Sequence, residues 1–281
     1  MKSLEEFSGL PIEFDPETFE LRSTKRDWSL PEPALKMLDE LRPVLRDPDC
    51  KGPDIVYWMY RDISLAKHAG LKDETGLRYD ISVFRGDMLG TEFFKTAGHY
   101  HPYISDLDWK YNLSWPEVYE VLYGECIYVL QKVDDIYSDR FYGKVDDFII
   151  VHAKPGQKVV MPPNYGHVTI NARPGKPLVM SNWVCNWFKS YYDPVAAARG
   201  FGWWLVTEGK GKNKKSGWMP NPNYKQPLPD IREAKTLTCE ALGLCEGAPM
   251  YPIAAAKPEK FEWVCKPQNY LEAMWASLEL R

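Results

Sequence analysis

The feature that most constrains this chain is the rhythm of its centre. Between about residue 55 and residue 186, short β-branched and aromatic runs alternate with turn signals: Ile55–Tyr60, Tyr79–Arg85, Gly90–Lys95, Glu117–Tyr123, Ile127–Lys132, Asp147–His152, Lys158–Met161, His167–Asn171 and Leu178–Trp187. Each run is too short for a core helix and rich in the side chains that suit a pleated surface. The 23 prolines and 19 glycines among 281 residues punctuate such strands more naturally than long helices. Many short strands in succession predict an antiparallel sandwich or barrel.

The flanks read differently. Pro11-Ile12-Glu13-Phe14-Asp15 predicts a short strand, and Leu35, Leu38, Leu41 and Leu45 predict a helix within Leu30–Arg46. Thr207–Asp230, with the run Gly209-Lys210-Gly211-Lys212-Asn213-Lys214-Lys215, reads as an exposed linker. Beyond it, Ile231–Leu242 and Gln268–Leu280 carry weak helical patterns. The expected division is an N-terminal arm and helix over 1–50, a barrel over 51–195, and a linker with C-terminal extension over 196–281.

Charge excludes some roles. Lys and Arg number 35 against 39 Asp and Glu, a net −4, and the lysine run lacks interleaved aromatics, so neither nucleic acid nor an anionic membrane is the expected partner. No stretch of eighteen apolar residues occurs and the first residues are polar, so neither a membrane span nor a signal peptide is expected. The six cysteines form no C-x-x-C pair and read as free thiols of a cytoplasmic protein.

The five histidines carry the chemistry. His99 and His101 stand two apart in Thr96-Ala97-Gly98-His99-Tyr100-His101, so on a strand both imidazoles project from one face. Glu117 opens a following run, and its face-mate Tyr119 should line the same cavity. His167 begins another strand after the rigid loop Met161-Pro162-Pro163-Asn164-Tyr165-Gly166. Three imidazoles and one carboxylate suit one divalent first-row ion (Fe, Mn, Zn or Ni), with positions left for water or substrate. A lone His-x-His occurs by chance on surface strands. The pair followed by a carboxylate, a glycine, Pro155-Gly156, Pro162-Pro163 and His167-x-x-x-Asn171 is far more specific. His68 and His152 have no such context and read as structural.

These two segments resemble the paired motifs of the cupin superfamily, and in particular the cupin-type phosphoglucose isomerases found mainly in archaea. Thr96, Gly98, His99, His101, Glu117-Val118-Tyr119, Leu122, Gly124, Leu130-Gln131, Val159, Pro162-Pro163, His167 and Asn171 carry the likeness. Tyr79 to Gly86 and Glu92-Phe93-Phe94 extend it, over roughly residues 8–195. The resemblance implies a mainly β fold, a cupin antiparallel barrel or jelly roll. It also implies His99, His101, Glu117 and His167 as metal ligands, Ser82, Thr96 and Gly98 as phosphate contacts, Tyr192 as a cap over the site, and a homodimer. Three departures stand out. The loop Pro102–Pro116, with Trp109, Tyr111 and Trp115, is longer than the family's and reads as a lid or as packing. A phosphate-binding tyrosine of the family aligns with Trp183 or Val184. The last eighty or so residues have no counterpart.

The activity so implied is metal-dependent interconversion of glucose 6-phosphate and fructose 6-phosphate by hydrogen transfer between C1 and C2. Glu117 is the candidate base by elimination, with Tyr119 to relay or hydrogen-bond. A coordinated carboxylate is a poorer base, so either Glu117 leaves the metal or the hydrogen moves as hydride. The phosphate is expected on hydroxyls and backbone N–H groups rather than on an arginine cluster. Alternatives are an isomerase of another sugar phosphate, a cupin dioxygenase, and a non-catalytic sugar-phosphate-binding cupin.

Overall fold

The structure, a computed structural model, describes residues 1–105, 112–137, 143–209 and 215–281. The expectations for Trp109, Tyr111 and Lys210 to Lys214 lie outside them. The strands are β1 (Lys2–Ser3), β2 (Ile12–Phe14), β3 (Leu21–Ser23), β4 (Ala34–Met37), β5 (Ile55–Tyr60), β6 (Leu77–Phe84), β7 (Glu117–Tyr123) and β8 (Cys126–Val133). There follow β9 (Val145–Ala153), β10 (Lys158–Met161), β11 (Gly166–Asn171), β12 (Leu178–Cys185), β13 (Trp203–Glu208), β14 (Lys215–Pro220), β15 (Arg232–Thr236) and β16 (Leu278–Leu280).

The expected closed barrel is not what forms. The strands lie in separate open sheets: three strands in the order β1-β2-β3, six as β10-β7-β12-β6-β5-β4, five as β11-β8-β9-β15-β16, and the hairpin β13-β14. None of these sheets closes on itself, and with the short helices between them the fold is mixed α and β. The flanks explain why the sheets stay open. β4 extends the larger sheet beyond β5, while β15 pairs parallel to β9 and β16 antiparallel to β15. These strands cap edges that would otherwise expose unpaired backbone groups.

Both faces of the six-stranded sheet are covered, which accounts for strands apolar on each side. Tyr119 and Val121 of β7 and Met180 of β12 join Tyr128, Leu130, Phe148 and Val168 of the five-stranded sheet in one core. The alternate residues Val118, Leu122 and Trp183 pack instead with Leu10, Ile12 and Phe14 of the N-terminal arm and with Tyr251, Phe261 and Trp263 near the C-terminus. Each such side chain, fully buried, contributes roughly 1.5–3 kcal/mol.

Local expectations fare unevenly. Most central runs are strands within a residue or two, but Gly90–Lys95 makes only isolated bridges, such as Glu92 to Val206. Leu30–Arg46 is not a single helix: Pro31 and Pro33 break its start, Ala34–Met37 pairs with β5, and only Leu38–Leu41 is α-helical. The stretch expected as a linker supplies β14, which pairs along β13 and sets Trp218 edge-on to Phe148 at 5.9 Å. Of Ile231–Leu242, expected as helix, Arg232–Thr236 is strand, because the open edge of β9 accepts Arg232–Ala234, and only Glu240–Leu242 makes a 3-10 turn. Of Gln268–Leu280, Leu271–Ala276 is helical and Leu278–Leu280 is strand. The six cysteines are free thiols. Among the described residues, no helix is long and apolar enough to cross a membrane.

Candidate metal centre

Two reciprocal backbone bonds bring the histidine segments together. His99 N–H donates to the His167 carbonyl at 3.1 Å, and His167 N–H returns to the His99 carbonyl at 3.0 Å. Gly98 makes this possible. Its φ is +71°, and a Cβ there would stand 3.1 Å from Val168 Cβ and 3.3 Å from the Phe201 ring. From the other sheet, Glu117 opens β7 and points inward with Tyr119.

The result is a cluster of half-buried His99 with buried His101, Glu117 and His167, one ligand atom from each, all within 4.8 Å of one another. His99 Nε2 lies 3.2 Å from His101 Nε2. Glu117 Oε2 lies 3.4 Å from His101 Nε2 and 3.2 Å from His167 Nε2. The surroundings aim these atoms at the centre. The Trp115 carbonyl lies 2.8 Å from His101 Nδ1; accepting its proton, it leaves the Nε2 lone pair facing inward. Asn182 Nδ2 donates to Glu117 Oε1 at 2.6 Å, leaving Oε2 for the centre.

Electrostatics agree with a ligand set. Burial opposes the Glu117 charge, yet the flanking His101 and His167 hold its carboxyl below the usual range. Burial, then the neighbouring His167 and His101, push His99 well down, and burial lowers His167 despite Glu117. Neutral imidazoles with converging lone pairs beside a carboxylate are the form a divalent cation takes up. The donor set therefore fits the ion expected from the sequence.

His99, Glu117 and His167 of the cluster line a pocket that Ser82, Thr96, Gly98, Tyr119 and Tyr192 also line. Tyr119 is buried, with its hydroxyl 3.2 Å from His167 Nε2. Thr96 Oγ1 accepts the Thr169 N–H at 3.0 Å, and the Tyr192 ring lies 5.1 Å from that of His99. Val184 lines the pocket while Trp183 is buried in the core on the sheet's other face, so neither brings a hydroxyl to the site. Trp115 stacks on Phe188 at 5.6 Å, and Phe188 lies 4.4 Å from His101. His68 is not part of the cluster and instead bonds the Tyr251 hydroxyl at 3.0 Å.

Several contributors escape sequence reasoning. The Trp115 carbonyl has no residue signature. Asn182 does: with Ser181 it interrupts the apolar run Leu178–Cys185. Arg61, Arg78 and Asp80 also line the pocket, though the motifs contain none of them.

Three imidazoles and a carboxylate beside a pocket define a metal-associated enzyme centre of the cupin type. The sequence matches the family model described as glucose-6-phosphate isomerase (GPI) over residues 36–221, and the chain belongs to that family. The match starts later than residue 8 and runs past residue 195, taking in β13 and β14 but not β15 and β16. No curated protein matches the sequence. Among solved structures, the chain is similar to capsular polysaccharide assembling protein CapF of Staphylococcus aureus (14% identity, 59% of this chain and 33% of that one, TM-score 0.33). It is also similar to vicilin of Corylus avellana, hazelnut (12%, 49% and 32%, 0.32), and to an oxalate oxidase (13%, 44% and 49%, 0.29). The chain thus spans about a third to a half of the length of those three.

Proposed function

We propose that this chain interconverts glucose 6-phosphate and fructose 6-phosphate by moving hydrogen between C1 and C2 of the sugar. The observation that carries the reading is that three of the four cluster residues, His99, Glu117 and His167, share one pocket with the small residues Ser82, Thr96 and Gly98, in a member of the isomerase family. A divalent ion held by His99, His101, Glu117 and His167 would supply Lewis-acid polarisation of the sugar's carbonyl. The protein's own groups do the rest. Asn182 holds Glu117 by one oxygen, so the other is free to bind or to accept a proton as geometry demands. The Tyr119 hydroxyl, beside His167, is placed to hydrogen-bond a sugar oxygen or relay a proton.

In this reading the hydroxyls of Ser82 and Thr96 and the Gly98 N–H orient the phosphate, while Tyr192 closes the pocket from the mouth and limits water. The substrate partner is a phosphorylated sugar, and the protein acts in the cytoplasm as a homodimer. A sedimentation mass near 32.5 kDa at micromolar concentration would contradict the dimer.

The test is a coupled assay on several sugar phosphates, run with and without oxygen. Turnover that is indifferent to oxygen supports isomerisation. Activity only with oxygen would point to a dioxygenase, and binding without turnover to a non-catalytic sugar-phosphate module.

A further inference from the structure

The small polar residues that line the pocket carry no formal charge. A phosphoryl dianion leaving water for a partly buried site needs a countercharge as well as hydrogen bonds. The nearby cations are nearly all committed elsewhere. Lys95 Nζ is buried on Glu92 at 2.6 Å and on the Val44 carbonyl at 2.8 Å. Arg85 Nε pairs with Asp87 at 2.7 Å and its guanidinium covers the Phe19 ring. Arg78 lines the pocket, but its Nε and Nη2 bind the Asp80 carboxylate and its Nη1 binds Asn186 Oδ1 at 3.0 Å.

Arg61 is different. It follows directly on β5 and lines the same pocket from an exposed position. Its one hydrogen-bond contact is Nη2 to Met59 Sδ at 3.4 Å, and among the described residues it has no carboxylate partner. The nearest acids are occupied: Asp62 by Lys72, Asp80 by Arg78. Strand order puts Arg61 in reach of both ends of a substrate. β7 carries Glu117, β12 and β6 lie between, and β5 comes next, so Arg61 stands about three strand spacings, roughly 14 Å, from the metal ligand. Ser82 pairs with Met59, and Arg61 stands two residues beyond Met59, just past the end of β5, where both line the pocket. The hydroxyls of Ser190 and Tyr192 line the pocket beside it.

We propose that Arg61 is the specificity-determining cation of this site: it closes onto the phosphoryl group of the substrate, with neighbouring hydroxyls, and selects phosphorylated over neutral sugars. With Arg78 neutralised by Asp80, the side chains of the pocket without Arg61 carry the Glu117 charge alone and offer no cation of their own to a dianion. The planar fork of an arginine, with several hydroxyls around it, matches a three-oxygen anion better than a single carboxylate. This inference rests on reading the pocket as a sugar-phosphate isomerase site.

The experiment titrates metal-loaded wild type, Arg61→Gln and Arg61→Lys with inorganic phosphate by calorimetry, then measures steady-state kinetics on a sugar phosphate and its neutral parent. The expected result is phosphate affinity about 10- to 100-fold weaker in Arg61→Gln, with Arg61→Lys intermediate. KM for the sugar phosphate rises in parallel, kcat falls less, and metal content and the constants for the neutral sugar stay unchanged. Equal phosphate affinity in wild type and Arg61→Gln overturns the proposal, as does a wild type that binds no phosphate at millimolar concentration. The calorimetry needs no turnover. Arg61-dependent phosphate binding in a protein that turns over no sugar phosphate would therefore sink the isomerase reading while leaving Arg61 as the anion-binding residue.

Discussion

Asn182 Nδ2 donates to Glu117 Oε1 across the β7–β12 pair at 2.6 Å, so a neutral amide buried in one strand sets the orientation of a carboxylate in the next. The contact decides which oxygen of Glu117 faces the three imidazoles. Partners of this kind contribute to metal affinity through the ligand they hold. Asn182→Ala should weaken metal binding about 10- to 100-fold with little change in fold, read by competition with a chromogenic chelator. Unchanged affinity would show that Glu117 orients itself.

His167 joins the cluster through the backbone pair with His99 and through its own Nε2. His167→Ala removes one ligand and leaves the backbone pair in place, so metal affinity should fall by orders of magnitude while the fold survives. Metal analysis of the variant purified without added metal checks this. Full occupancy would remove His167 from the ligand set.

Trp183 binds the C-terminal segment to the large sheet. It is 1% exposed, stacks on Tyr251 at 5.9 Å, and meets Tyr79 at 4.9 Å and Phe261 at 6.2 Å. Trp183→Ala opens a cavity there and should cost about 3–5 kcal/mol in denaturant unfolding. A loss below about 1 kcal/mol would mean that the segment does not depend on this cluster.

How much of this was legible beforehand follows from the physics of each signal. The runs at Ile55, Glu117, Lys158 and Leu178 announced strands because both faces of the large sheet are buried, which leaves nearly unbroken apolar sequence. The same runs say nothing about how sheets end. That depended on Ala34–Met37, Arg232–Thr236 and Leu278–Leu280, whose compositions look like helix or loop and which become strands by pairing with an available edge, so the closed barrel was the wrong extrapolation. In the site, His99, His101, Glu117 and His167 were visible from their spacing and motif context, although His99 meets His167 through an isolated bridge rather than along a strand. Asn182 and Arg61 were hidden, because their positions depend on the register of β12 on β7 and of β5 on β6.

Glu120, on the opposite face of β7 from Glu117, gives the fold a pH dependence. Burial pushes its carboxyl up to about 7, against the pull of Lys158 at 2.9 Å and of the Met250 N–H at 2.9 Å. The folded chain then holds a proton that the unfolded chain releases near 4.5. The stability from this group is complete below pH 4.5 and is lost as pH rises through about 7. Across that window the contribution of this site, read as wild type minus Glu120→Gln, should fall with rising pH, while the depressed His99 and His167 add an opposite rise that both proteins share. An identical slope in the variant would assign the pH dependence to other groups.

The central claim is that His99, His101, Glu117 and His167 hold a divalent ion that the sugar-phosphate isomerisation requires. The direct measurement is turnover of glucose 6-phosphate to fructose 6-phosphate by the pure protein, before and after long dialysis against EDTA and again after adding back manganese or iron(II), with bound metal determined at each stage. The expected result is about one ion per chain at the start, activity that disappears with the ion, and recovery in proportion to the ion restored. Turnover that persists in the metal-free protein would contradict it.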